Sequence, residues 1–141
     1  MKIILNKCFG GFDVSNEAYK LYAKKKNLNL YLYSSEYIDH QFIYKKVNDT
    51  NNYLFKSFFI KDIGNNVSIS NEDYKKYCLY LDSEYRQDTT LIEVIEELGE
   101  KASGRFGDLE VVEIPDNYYY KIDEYDGLET IYYSKSKIEI K

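Results

Sequence analysis

The side chains with the widest chemical scope are few. The sequence holds one histidine (His40), two cysteines (Cys8 and Cys78) and two arginines (Arg86 and Arg105) among its 19 basic residues. A nucleophilic cysteine needs a base within reach, and His40 is the only imidazole that could serve. Cys8, however, closes the apolar run Lys2–Cys8, the ordinary setting of an inert thiol. One histidine and two widely spaced cysteines do not make a dedicated zinc set. No carboxylate pair, triad or phosphate-loop pattern stands out, so the expectation leans away from catalysis and includes no metal and no cofactor. An enzyme acting through Cys8 or Asp126 is the weakest of three readings.

A second candidate is the loop Cys8-Phe9-Gly10-Gly11-Phe12, which lies between an expected strand and an expected helix. Glycines there let a backbone approach a ligand, and a helix N-terminus attracts anions. With Phe9, Phe12, Arg86 and Arg105 nearby in kind, the loop could hold the phosphate and base of a nucleotide-like signal molecule. The plainer reading is a tight turn anchored by its phenylalanines, with the arginines in salt bridges to the acidic half.

The third candidate is acid. Residues 1–61 carry ten Lys against five Asp/Glu, whereas residues 62–141 carry nine Lys+Arg against nineteen Asp/Glu. Within 84–129 there are fourteen acids and four bases, a net of −10. Glu93, Glu96, Glu97 and Glu100 recur at helical spacing, and Asp123, Glu124, Asp126 and Glu129 surround an expected hairpin. Such a surface is either a solvated face or one shaped to dock on a basic groove, as in a nucleic-acid enzyme; it disfavours direct nucleic-acid binding. Seventeen tyrosines add rigid contact area suited to interfaces.

The elements that must position these residues follow from periodicity and turn chemistry. Lys2–Cys8 reads as a buried strand and Ser15 (or Asp13) as the cap of a helix ending at Lys24–Lys26. Leu28–Tyr33 alternates as a strand, and Ser34–Asp39 reads as a turn or short helix. Gln41–Val47 and Tyr53–Ile60 read as strands joined by the hairpin loop Asn48–Asn52. Lys61–Asn66 reads as a loop, Val67–Ser70 as a brief strand, and Asn71–Leu81 as a helix running into a strand. The clearest element is the helix capped by Asp88 or Thr89, with the stripe Leu91, Ile92, Val94, Ile95, Leu98 and a stop at Gly99 or Gly104. Leu109–Ile114 then forms a strand stopped by Pro115. Asp126-Gly127 turns a hairpin between Tyr118–Ile122 and Leu128–Tyr133, and Ser134–Lys141 is an edge strand or tail. The expected architecture is α+β: one domain over 1–141, with two main helices packed on a single, mostly antiparallel mixed sheet.

The N-terminus lacks a signal-peptide pattern and no apolar run reaches about 18 residues, so a cytoplasmic protein is expected. The motifs KIILNKCFGGFDVS and RQDTTLIEVIEELGEKASGRFGDLEVVEIPD, followed by YKIDEYDGLE, resemble a family of small bacteriophage- and prophage-encoded proteins without an assigned activity. The match covers about half the chain, the two ends, and leaves Leu28–Leu81 unmatched. Its marked positions would be Cys8, Gly10, Gly11, Arg86, Asp88, Gly104, Pro115, Asp126 and Gly127, while the tail Tyr133–Lys141 departs from the pattern. The resemblance implies a mobile-element origin. With the acidic half it leads to the expectation of an inhibitor that binds a basic surface on a host defence nuclease, acting in the cytoplasm of an infected bacterium. The alternative is a sponge for a nucleotide immune signal at the Gly10–Gly11 loop.

Overall fold

A computed structural model describes residues 1–48 and 56–137. In chain order the elements are β1 (Lys2–Asn6), α1 (Asn16–Lys25), β2 (Tyr31–Ile38), β3 (Gln41–Lys46), β4 (Lys56–Phe59), α2 (Asn71–Tyr77), β5 (Cys78–Leu79), α3 (Thr89–Leu98), β6 (Leu109–Glu113), β7 (Tyr119–Tyr125) and β8 (Leu128–Ser134). The class is α+β, and every strand pair described is antiparallel. In place of one sheet there are three: β1-β6, β3-β2-β4-β5 and β7-β8. The chain divides into two compact units, Met1–Tyr22 with Leu81–Lys141, and Ala23–Tyr80. The expected loop Asn48–Asn52 and the end of the expected tail strand fall largely outside the described residues.

The first unit is built on β1. Its residues Ile3, Ile4, Leu5 and Asn6 are all fully buried. Ile3 and Leu5 pack with Ile114 against Val112 and against Ile122, Ile131 and Tyr120 of the β7–β8 hairpin. By strand alternation Lys2 and Ile4 point the other way, and there the Lys2 ammonium pairs with Glu96 of α3 at 2.8 Å. The β1–β6 ribbon therefore lies between α3 on one face and the hairpin on the other. The helix buries Leu91, Ile92, Val94 and Ile95; its cap is Asp88, whose carboxylate accepts from the Leu91 amide. It ends at Gly99, which has φ 60°, a conformation that suits a residue without a Cβ. Ser15 caps α1 by accepting from the Ala18 amide (3.1 Å) and donates its hydroxyl to the Lys101 carbonyl (2.6 Å).

The second unit has an aromatic core. Tyr33, Tyr44 and Phe59 meet edge to face, with centroids 5.2 Å and 5.4 Å apart. Ser34–Asp39, expected as a turn or short helix, instead extends β2 through Ile38 by pairing with β3. The turn is Asp39-His40, both at positive φ (51° and 66°). Aspartate and histidine tolerate that region better than most residues, but they lack the Asn-Gly signature that would announce a two-residue hairpin. Val67 makes a single bridge to Tyr44 rather than a strand.

The Tyr33 hydroxyl locks the loop after β4: it accepts from the Ile63 amide (3.0 Å) and donates to Asp62 (3.2 Å). Asp62 also pairs with Lys46 at 2.7 Å and accepts from the Gly64 amide. The Lys46 ammonium, and then the Gly64 amide, hold the Asp62 carboxyl below the usual carboxylate range. A depressed folded value contributes stability that is present above the unfolded pKa of about 4 and is lost as pH falls through the folded value. We expect Asp62→Asn to flatten the acid limb of a thermal-melt profile for this unit. Superimposable acid limbs for variant and parent would reject that account.

Candidate interaction site

Three turns converge in the first unit: the loop Cys8–Phe12, the segment Arg105-Phe106-Gly107 and the hairpin turn Asp126-Gly127. The Gly10 amide donates to the Asp126 carbonyl (2.8 Å) and the Gly11 amide to the Phe106 carbonyl (3.0 Å). Gly10 and Gly127 lie so close that a Cβ on Gly127 would collide with the Gly10 backbone, and Gly127 also has φ 89°. The middle turn is held by Asp13, whose carbonyl accepts from the Gly104 amide (2.8 Å) and whose carboxylate accepts from the Phe106 amide (3.1 Å).

One buried side chain ties all three turns together. The Asn6 amide nitrogen donates to the Cys8 carbonyl (3.0 Å) and the Gly127 carbonyl (2.7 Å). Its oxygen accepts from the Asp108 amide (2.8 Å). With no exposed surface, Asn6 has its hydrogen-bonding capacity satisfied by backbone from three separate stretches of chain, which is what a buried amide requires.

Behind Asn6 stands the single buried ion pair described in this unit. Glu129 accepts two bonds from the Arg86 guanidinium, at 3.1 Å and 2.8 Å, and a third from the Asn6 backbone amide at 2.8 Å. Arg86 also donates to the Ile4 carbonyl (2.8 Å), while its own carbonyl accepts from the Ile4 amide (2.8 Å). The edge of β1 not covered by β6 is thus sealed by Arg86 and Glu129, where an open edge would leave backbone groups unpaired. Arg86 further lies over the Phe12 ring, 5.5 Å from its centroid.

This geometry revises the expected sites. Gly10 and Gly11 make tight turn contacts, and their amides are already donated within the protein, so they are not available to cradle an anion. Arg86 is committed to Glu129, and Phe12 lies against Arg86. Arg105 stays at the surface, its guanidinium 5.6 Å from the Phe106 ring centroid. The acids do not form one surface. Glu93, Glu96, Glu97 and Glu100 are exposed on or just beyond α3, with Glu96 paired to Lys2. Asp123, Glu124 and Asp126 are on the hairpin, across the ribbon from α3; Asp123 is 3.7 Å from Lys121 and Glu124 accepts from the Gly127 amide (2.6 Å). Burial and the Tyr74 hydrogen bond act oppositely on Cys78, and burial prevails, pushing its thiol up and making it a poorer nucleophile. Both cysteines are free thiols.

Around the three turns stand the most solvent-exposed large hydrophobic side chains among the described residues: Tyr125 at 73%, Phe9 at 68% and Phe106 at 66%. Each belongs to or immediately flanks a different turn, and Phe9 meets Tyr125 edge to face at 6.3 Å. The turns that carry them are held by the Asn6 network, which limits the backbone ordering that binding would require. In 7–13, 105–108 and 123–127 there are five acids (Asp13, Asp108, Asp123, Glu124, Asp126) and two bases (Lys7, Arg105), a net of −3. Asn6 was not foreseen as a site residue, and nothing local in LNKC distinguishes it; Glu129, expected among the exposed hairpin acids, is instead buried against Arg86 and the Asn6 amide.

No family model, curated protein or solved structure matches this chain. Among the described residues no helix is long and apolar enough to cross a membrane.

Proposed function

We propose that the protein is a non-catalytic binder that docks the Phe9–Phe106–Tyr125 cluster and its acidic rim onto a partner protein. The partner's complementary surface would be an apolar recess framed by basic residues. The observation that carries this reading is the exposure of three aromatic rings on turns that share one buried asparagine. Aromatic side chains held rigidly are the usual energetic centre of an interface, and rim charges tune encounter and specificity. The phage-protein resemblance implies a mobile-element origin, and on that footing the partner we propose is a host defence nuclease met in the cytoplasm of an infected bacterium. On this reading the hairpin acids beside the aromatic cluster matter more than the glutamates of α3.

The test is capture of the partner from bacterial host extract, followed by affinity measurement on variants. Phe9→Ala and Tyr125→Ala should each weaken binding by about 2 kcal/mol, some thirtyfold. Reversal of Glu124 and Asp126 to Lys should slow association and weaken its salt dependence. Reversal of Glu93, Glu97 and Glu100 should do much less. Retained affinity in a Phe9→Ala/Tyr125→Ala double variant that melts like the parent would remove the basis of the proposal.

A further inference from the structure

The second unit carries a groove of about 590 Å³, within the roughly 300–1,000 Å³ common for small-molecule sites. Strand register explains its position. Tyr33, Ser35 and Tyr37 alternate onto one face of β2, opposite Ser57, Tyr44 and Phe42 respectively. The inner end of that face is the aromatic core; the outer end, where Tyr37 and Phe42 pair at 5.0 Å with their planes tilted by 59°, lines the groove. These two rings are 63% and 53% exposed although they lie against each other, so a ligand rather than the protein would complete their burial. Tyr44 and Tyr74 form further aromatic wall.

The polar lining is mostly hydroxyl and amide. Three serines (Ser35, Ser57, Ser68), two side-chain amides (Gln41, Asn71) and His40 line the groove beside the tyrosines, and no Lys, Arg, Asp or Glu lines it among the described residues. None of those six polar side chains is engaged in a hydrogen bond among the described residues. Hydroxyls and amides both donate and accept. A charged ligand entering this groove would meet no lysine, arginine or carboxylate to offset its lost hydration.

We propose that this groove binds a neutral polyhydroxylated ring, the chemistry of a mono- or oligosaccharide. Such a ligand offers hydroxyls that both donate and accept around its edge and apolar C–H surface on its faces. Those two features match serine and amide groups set among tyrosine and phenylalanine rings. A flat nucleobase could stack on one ring but would leave most of the hydroxyl lining without partners.

The experiment is an NMR shift titration of the full chain with maltotriose, chitotriose and xylotriose, with adenosine and ATP as comparison arms. The expected result is movement of Tyr37, Phe42, Ser57 and Asn71 resonances with at least one saccharide and with neither comparison compound. Phe42→Ala, at an exposed position, should lower that affinity about tenfold, and Tyr37→Ala should act in the same direction. Three outcomes overturn the proposal: no saccharide moves the groove resonances, adenosine or ATP moves them instead, or the saccharide response persists unchanged in both aromatic variants.

Discussion

Replacing Arg86 with alanine is expected to destabilise the protein by about 3–5 kcal/mol, the range for breaking a buried ion pair by removing one partner. The guanidinium and the Glu129 carboxylate are 15% and 9% exposed, so solvent cannot replace the lost partner. The alanine would leave Glu129 with only the Asn6 amide as a donor, and would strip the Ile4 carbonyl of its bond on the open edge of β1. Lys2→Ala is the internal control: Lys2 and Glu96 are 45% and 44% exposed, and solvent and salt screen a pair of that kind, so its loss should matter far less. A double replacement, Arg86→Met with Glu129→Leu, should recover much of the loss, because no uncompensated charge is left behind. Chemical denaturation of the four proteins checks the ordering. Arg86→Ala melting alongside Lys2→Ala would show that the pair does not hold the edge.

Gly127→Ala is expected to be the most damaging of the glycine substitutions, costing about 2–5 kcal/mol from left-handed backbone strain together with overpacking. Its φ is 89°, and an added methyl would overlap the Gly10 backbone. Neither chain can retreat, since the Gly10 amide is bonded to the Asp126 carbonyl and the Gly127 carbonyl to Asn6. Gly99→Ala meets a positive φ of 60° but open space, and Gly11→Ala meets nothing within 4 Å. The expected order of loss is therefore Gly127, then Gly99, then Gly11, read from melting temperatures. The same substitution should displace Tyr125 from Phe9 and so weaken partner binding beyond its effect on stability. Equal melting temperatures for the Gly127 and Gly11 variants would contradict the close packing of the two turns.

The acidic half shows how local and distant information differ in this chain. Its charge total is legible from composition, and the four glutamates of the α3 region from helical spacing. Their distribution is not: Glu129 lies in the same acidic run as Asp126, yet it is 8% exposed and bound to Arg86. Which carboxylate goes inside depends on a guanidinium 43 residues away, and no period of two or 3.6 carries that choice. The Gly10–Gly11 loop is similar. Its turn is written in the glycines, but the partners of its amides come from residues 106 and 126.

What the sequence by itself determined is the set of features governed by neighbours a few positions apart. The cap of α3 is confined to Asp88 or Thr89 and its stop to Gly99 or Gly104, the Leu91–Ile95 stripe faces inward, and Asp126-Gly127 turns a hairpin; the structure takes Asp88 and Gly99. These follow from backbone dihedrals, capping hydrogen bonds and side-chain periodicity, which act over a single turn. Only the tertiary structure decided that the strands separate into three sheets and that β2 runs through Ile38 rather than stopping at Tyr33. The same holds for Asn6 joining three turns and for Phe9 meeting Tyr125 in solvent. Each of these depends on desolvation and hydrogen bonding between segments far apart along the chain, and those energies exist only once the segments meet.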